Sequence, residues 1–269
     1  MTRYKSKKHH FKIINSSYYT KYDTRAGRYF FFYRPKVRSE KVESIDDVRR
    51  FFVVLAPESK NLYRLLIIGK KSLPEIRESE ARSSERYWAR IGGIFDDPTQ
   101  LTNELLSKEF REGDMARPVG EGKYAIVDHN NHTELAFVLE LPKELGEAQK
   151  ELGIEKEASY IITVINPKIP KREEYLPTTE DAPDYPESVL NDFSNDENFV
   201  PLSRNLRFID YQNAQIILIG AREGKEILTQ ELGITVENES ENDHSADIFI
   251  RLKIKDQVPI KPLMQGKLE

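Results

Sequence analysis

The residues best suited to chemistry stand at the front of the chain. Lys5, Lys7, Lys8, Lys12, Arg28, Arg34, Lys36 and Arg38 are interleaved with Tyr29, Phe31 and Tyr33 of the run RYFFFYRP at 28–35. Nucleic acid rewards that mixture. Cations displace counterions from phosphates, and aromatic faces stack on unpaired bases at about 1–3 kcal/mol each. On a β-strand, Tyr29, Phe31 and Tyr33 point to one side and Phe30 and Phe32 to the other. One of these faces is therefore expected to act as a stacking platform. The competing reading is a core strand covered on both faces. The run lacks the second Gly/Ala of the RNP1 pattern, so it does not specify an RNA-recognition module.

Other motifs carry less. DHNNHTE gathers Asp128, His129, His132 and Glu134, and His with carboxylate is a metal-ligand set. Asn and Asp also suit a hairpin turn, and neighbouring turn residues rarely converge on one ion, so the turn is the expectation and no metal is assigned. IILIGAREGKEIL sets Gly220, Gly224 and Lys225 between an apolar run and a helical pattern, where backbone amides favour phosphate. Its spacing is one residue short of a P-loop, and no Ser or Thr follows the lysine. ARPVGEGKY at 116–124 reads as a bend before a strand. No serine nucleophile elbow or zincin helix is present. Cysteine is absent, which excludes disulfides, thiolate ligation and a cysteine nucleophile. No cofactor is expected.

Charge is segregated along the chain. Residues 1–41 contain 12 Lys/Arg against 2 Asp/Glu, within a chain of net charge -4. A basic arm on an acidic body points to a polyanionic partner or to an acidic protein surface. The 38% hydrophobic and 10% aromatic content is that of a folding chain. No apolar run reaches a membrane span, and MTRYKSKKHHFK has no apolar signal core. A soluble, cytoplasmic protein without membrane contact is the expectation.

These side chains need elements to hold them. YAIV (124–127), LAFVLEL (135–141) and SYIITVI (159–165) read as strands, with a helix before the third that stops at Glu-Leu-Gly-Ile (151–154). The same order is expected at 206–209, 215–221, a second Glu-Leu-Gly-Ile (231–234) and 246–254. A fainter copy spans 51–95, opening a helix at 72–75. Residues 96–110 form the clearest helix, with Asp97 as cap and Pro98 at its first position. The predicted fold is α+β: repeated β-hairpin–helix–strand units in a mostly antiparallel sheet, covered on one face by short helices. The expected layout is an arm and first strand at 1–41, a body at 42–166, and an acidic Pro-rich connection at 167–200. A second unit follows at 201–255, then a tail at 256–269.

On these residues the chain reads as a non-catalytic binding protein that engages nucleic acid or a ribonucleoprotein surface through its arm. Two alternatives stay open. One is a protein-interaction or structural subunit that sets the arm on an acidic protein face. The other is a metal- or nucleotide-dependent hydrolytic enzyme.

Overall fold

The computed structural model describes residues 26–36, 42–76, 86–106, 115–128, 132–169, 182–222, 246–252, 254 and 258–269. Among the described residues there are nine strands: β1 (Ala26–Pro35), β2 (Val48–Pro57), β3 (Tyr63–Ile68), β4 (Tyr87–Phe95), β5 (Arg117–Asp128), β6 (Thr133–Leu141), β7 (Glu157–Ile165), β8 (Phe199–Pro201) and β9 (Gln215–Arg222). Their order in the sheet is β6-β5-β1-β2-β3-β4-β9-β7-β8, and β6 also pairs with β7. That last pairing closes eight strands into an antiparallel barrel and leaves β8 outside it, beside the end of β7.

This corrects the expected α+β fold of repeated units. The first unit forms as read: β5, β6, a short helix, then β7. The second does not. Residues 206–209 are a 3-10 helix capped by the Asn205 side chain, and 246–254 contains a helix, Asp247–Leu252, where a strand was expected. Ala246, Ile248, Ile250, Leu252 and Ile254 alternate along the chain as a strand would. In the folded helix Ile248 and Leu252, four apart, are buried while Ile250 is 62% exposed, so the 3.6-residue period prevails. The second Glu-Leu-Gly-Ile lies outside the described residues, and residues 72–76 form no helix.

Among the described residues, five α-helices accompany the barrel: α1 (Pro98–Leu106), α2 (Glu147–Glu151), α3 (Glu187–Leu190), α4 (Asp247–Leu252) and α5 (Lys261–Gln265). The expected cap of α1 is present, with the Asp97 carboxylate accepting from the Thr99 amide at 2.8 Å. The first Glu-Leu-Gly-Ile stops α2 as read. Gly153 sits at φ +66, and the Ile154 amide donates back to Gln149 O at 2.8 Å, which returns Ile154 to the core.

An eight-stranded barrel is just wide enough for side chains to fill. Tyr29, Phe31, Phe51, Phe137, Tyr160 and Leu218 belong to the cluster that occupies its interior. A second core lies outside the barrel wall, where Phe30, Phe32, Phe52 and Val54 meet Leu101 and Leu105 of α1, Ile248 and Leu252 of α4, and Leu263 of α5. Sequence far from β1 thus covers its outer face. The connection expected at 167–200 carries α3, and there Tyr185 and Phe193 join Phe208 in an aromatic cluster. Nor are residues 258–269 a loose tail. Helix α5 packs on the wall, and the Glu269 carbonyl accepts from the Tyr33 hydroxyl at 3.2 Å.

Candidate functional site

The predicted interface residues are divided by the barrel wall. Tyr29, Phe31 and Tyr33 face inward and are at most 2% exposed. Tyr29 and Phe31 lie 4.6 Å apart between ring centres, and Phe137 packs at 5.1 and 5.4 Å from them. This is the doubly covered strand, and these three rings do not form the expected stacking platform. Neutral Tyr29 is strongly favoured: burial, then Glu140, push its hydroxyl well above the ordinary tyrosine value, with Arg28 opposing. Burial likewise raises Tyr124 and Tyr160. A cavity of about 20 Å³ remains beside these rings, enough for no more than about one water-sized molecule.

Arg28 and Arg34 face outward but are sealed beneath the helices, at 3% and 1% exposure. The Arg28 guanidinium bonds Glu140 at short range, reaches Asp247 Oδ2 at 2.5 Å and lies 4.0 Å from Glu121. Glu121 in turn accepts from the amides of Asp247 and Ile248 at 2.9 and 2.8 Å, capturing the first turn of α4. Lys123 adds a cation 3.7 Å from Glu140. Arg34 donates to the carbonyls of Glu104 and Leu105, at 2.9 and 3.1 Å, where the negative end of α1 favours a cation. Both arginines fasten helices to the barrel, a structural role that their sequence neighbourhood did not reveal.

Lys36 is exposed. Lys5, Lys7, Lys8, Lys12 and Arg38 lie outside the described residues.

The turn motif also becomes specific. His132 Nε2 lies 2.8 Å from Glu134 Oε1, and Glu134 Oε2 accepts from Ser159 Oγ at 2.9 Å. The carboxylate stands between histidine and serine, so the imidazole is not placed to take the serine proton as a nucleophilic triad requires. His129 is outside the described residues, and among those described no group of three or more His, Cys, Asp or Glu could hold a metal. Gly220 lies within β9 rather than in a loop, packed against the backbone of Glu75.

One feature escaped sequence reasoning. β1 and β3 end, and β2 and β4 begin, at the same rim of the barrel, as their registers require: Arg34 faces Arg50, Phe51 faces Ile68, and Ile68 faces Ala89. Lys36, Arg50, Lys70, Lys71 and Arg86 therefore converge there from separate parts of the sequence. Lys70 Nζ stands 4.1 Å above the centre of the Tyr87 ring, and the Arg86 guanidinium lies 5.7 Å from that of Phe199. Trp88 is half-buried, and its indole lies so close over Gly69 that a Cβ there would overlap it. The only local signal was RYWAR at 86–90, which repeats the cation-aromatic alternation of the arm.

Comparison with protein-family models, curated proteins and solved structures returns no match. Among the described residues, no helix is long and apolar enough to cross a membrane.

Proposed function

We propose that this is a non-catalytic binding protein in which the barrel is a scaffold and the basic N-terminal segment engages nucleic acid, free or within a ribonucleoprotein. The observation that carries the reading is charge segregation at the point where β1 begins. Residues 1–25 hold 7 Lys/Arg and 1 Asp/Glu, or +6; with the whole chain at -4, the remainder is at -10. The folded body supports this division of labour. Its interior is filled by aromatic side chains, and Arg28 and Arg34 of the former arm are occupied in its walls. Of the N-terminal basic residues, those not engaged in the barrel wall are the ones at 1–25 together with Lys36, Arg38 and Lys41, and the proposal rests on these. Localisation in the cytoplasm is part of the same proposal.

The fold also fixes how the reading is tested. Truncation must stop at residue 25, because β1 starts at Ala26 and supplies both cores. Anisotropy titration of labelled oligonucleotides, with the intact chain and with the chain lacking residues 1–25, should show most of the affinity lost on truncation. Neutralising about six phosphates gives a log-log salt slope near -5 on duplex and near -4 on a single strand. A flat salt profile, or affinity that survives truncation unchanged, refutes the reading.

A further inference from the structure

The barrel rim gathers cations and rings that the sequence scatters. Lys36 is exposed at the end of β1, Arg50 half-buried at the start of β2, Lys70 exposed after β3, and Arg86 exposed before β4. Tyr87 and Trp88 stand half-buried among them. Among the described residues, the outer face of β1 and β2 lies under α1, α4 and α5, and Ala125, Val127, Ala136 and Val138 are buried on β5 and β6.

The turn after β3 adds an independent sign. Lys71 holds φ +64, a left-handed backbone that disfavours a side chain and that glycine or asparagine would adopt more readily. Lys71 therefore carries its charge at a conformational cost. Carboxylates are present too. Asp47, whose carbonyl accepts from the Lys36 amide at 2.7 Å, and exposed Glu75 bound the basic strip on two sides.

We infer that this rim is a second contact surface for single-stranded nucleic acid: Lys70, Lys71 and Arg86 meet phosphates, and Tyr87 and Trp88, successive residues of β4 whose rings point to opposite faces of the wall, each take an unpaired base on their own side of the rim. The chemistry selects a single strand because stacking needs a base with a free face, which a duplex does not offer. Lys70 already stands over the Tyr87 ring. Its ammonium therefore lies within reach of the backbone phosphate of a base stacked on that ring. The inference rests on the nucleic-acid reading proposed above and adds its second site and its preference for unpaired bases.

The chain's single tryptophan is Trp88, so the test has a built-in reporter. The full chain is titrated with oligo(dT) and with a duplex of equal length, following Trp emission and, separately, anisotropy of a labelled strand. Oligo(dT) should quench the emission, duplex should not, and the single strand should bind more tightly. In the Lys70→Ala/Arg86→Ala variant, two phosphate contacts are lost. Its log-log salt slope should fall by about 1.4, and quenching should weaken with it. Trp88→Phe retains a stacking ring, and Tyr87→Leu removes one without touching charge; the latter should lose about tenfold in affinity for the single strand.

The outcomes separate cleanly. Oligonucleotide binding with no quenching, and with an unchanged slope in the double variant, overturns the rim site and leaves the arm reading standing. Absence of any binding in the anisotropy arm removes the parent reading and this one with it. Equal quenching by poly-glutamate overturns the rim as a nucleic-acid surface and makes it one for acidic protein.

Discussion

Replacing Arg28 by Met tests the account of how the helices are fastened to the barrel. Arg28 stands among three carboxylates, Glu121, Glu140 and Asp247, with Lys123 as the nearby second cation. The group carries two positive charges against three negative ones, a net of -1; the substitution leaves one against three, a net of -2. Glu121 and Glu140 have side chains only 0% and 1% exposed, so water cannot replace the lost partner. Breaking a buried ion pair from one side typically costs about 3–5 kcal/mol, whereas an exposed pair is worth about 0–1. Set against a total stability of about 5–15 kcal/mol, that loss is large. It corresponds to a melting temperature lower by roughly 6–15 °C in a chain of this size.

The variant should also acquire a characteristic pH dependence. Without the guanidinium, the crowded carboxylates take up protons more readily in the folded state than in the unfolded one. The folded variant therefore binds more protons, and its deficit relative to the parent protein narrows as pH falls toward the ordinary carboxylate range near about 4. Urea denaturation of both proteins at several pH values provides the measurement. The double variant Arg28→Met/Glu140→Met removes both members of the closest pair and should recover part of the loss, because an apolar replacement avoids the desolvation of charge. A cost below about 1 kcal/mol with no pH dependence would refute the reasoning. It would mean that the guanidinium is effectively solvated and that α4 is held by apolar packing alone.

Two further outcomes follow from the core. Burial raises the hydroxyl pKa of Tyr29, Tyr124, Tyr160 and Tyr185 above the ordinary tyrosine value of about 10. The stability from keeping them neutral is complete below the unfolded value and is lost as pH rises toward the folded ones. Each contributes a slope of up to about 1.4 kcal/mol per pH unit once the unfolded chain ionises. Stability measured by denaturant should fall by roughly 5 kcal/mol per unit above about pH 10, and these four rings should ionise at 295 nm only together with unfolding. Early ionisation of all tyrosines in the folded protein would contradict their burial. Gly153→Ala places a Cβ at φ +66 and 2.8 Å from Leu73 O, and should cost about 1–3 kcal/mol in the same assay. A neutral result would show that α2 does not need its left-handed stop.

Much of the local structure was legible because its causes are local. Alternating β-branched and aromatic residues made β5, β6 and β7 readable. The Asp97-Pro98 start revealed α1, and the Leu-Gly-Ile sequence fixed the stop of α2. Periodicity failed at 246–254, where Ala246, Ile248, Leu252 and Ile254 satisfy a strand and a helix equally well. Only the docking of the first turn of α4 onto Glu121, 126 residues away in sequence, settles it. Nor could composition distinguish a solvent-facing aromatic run from a core strand. Tyr29, Phe31 and Tyr33 are the same residues in either reading, and the answer depends on whether α1, α4 and α5 return to cover the other side of β1.

By itself, then, the sequence determined the reducing-compatible chemistry of a chain without cysteine, the segregation of its charge, and most of the strands, since each follows from residues that are neighbours. Tertiary structure decided the closure of β6 on β7, the withdrawal of Arg28 and Arg34 into the wall, and the assembly of Lys36, Arg50, Lys70 and Arg86 on one rim. Those are properties of register between distant strands. A strand's pattern states which of its faces is apolar, but not which other strand, which helix, or which charge will be brought against it.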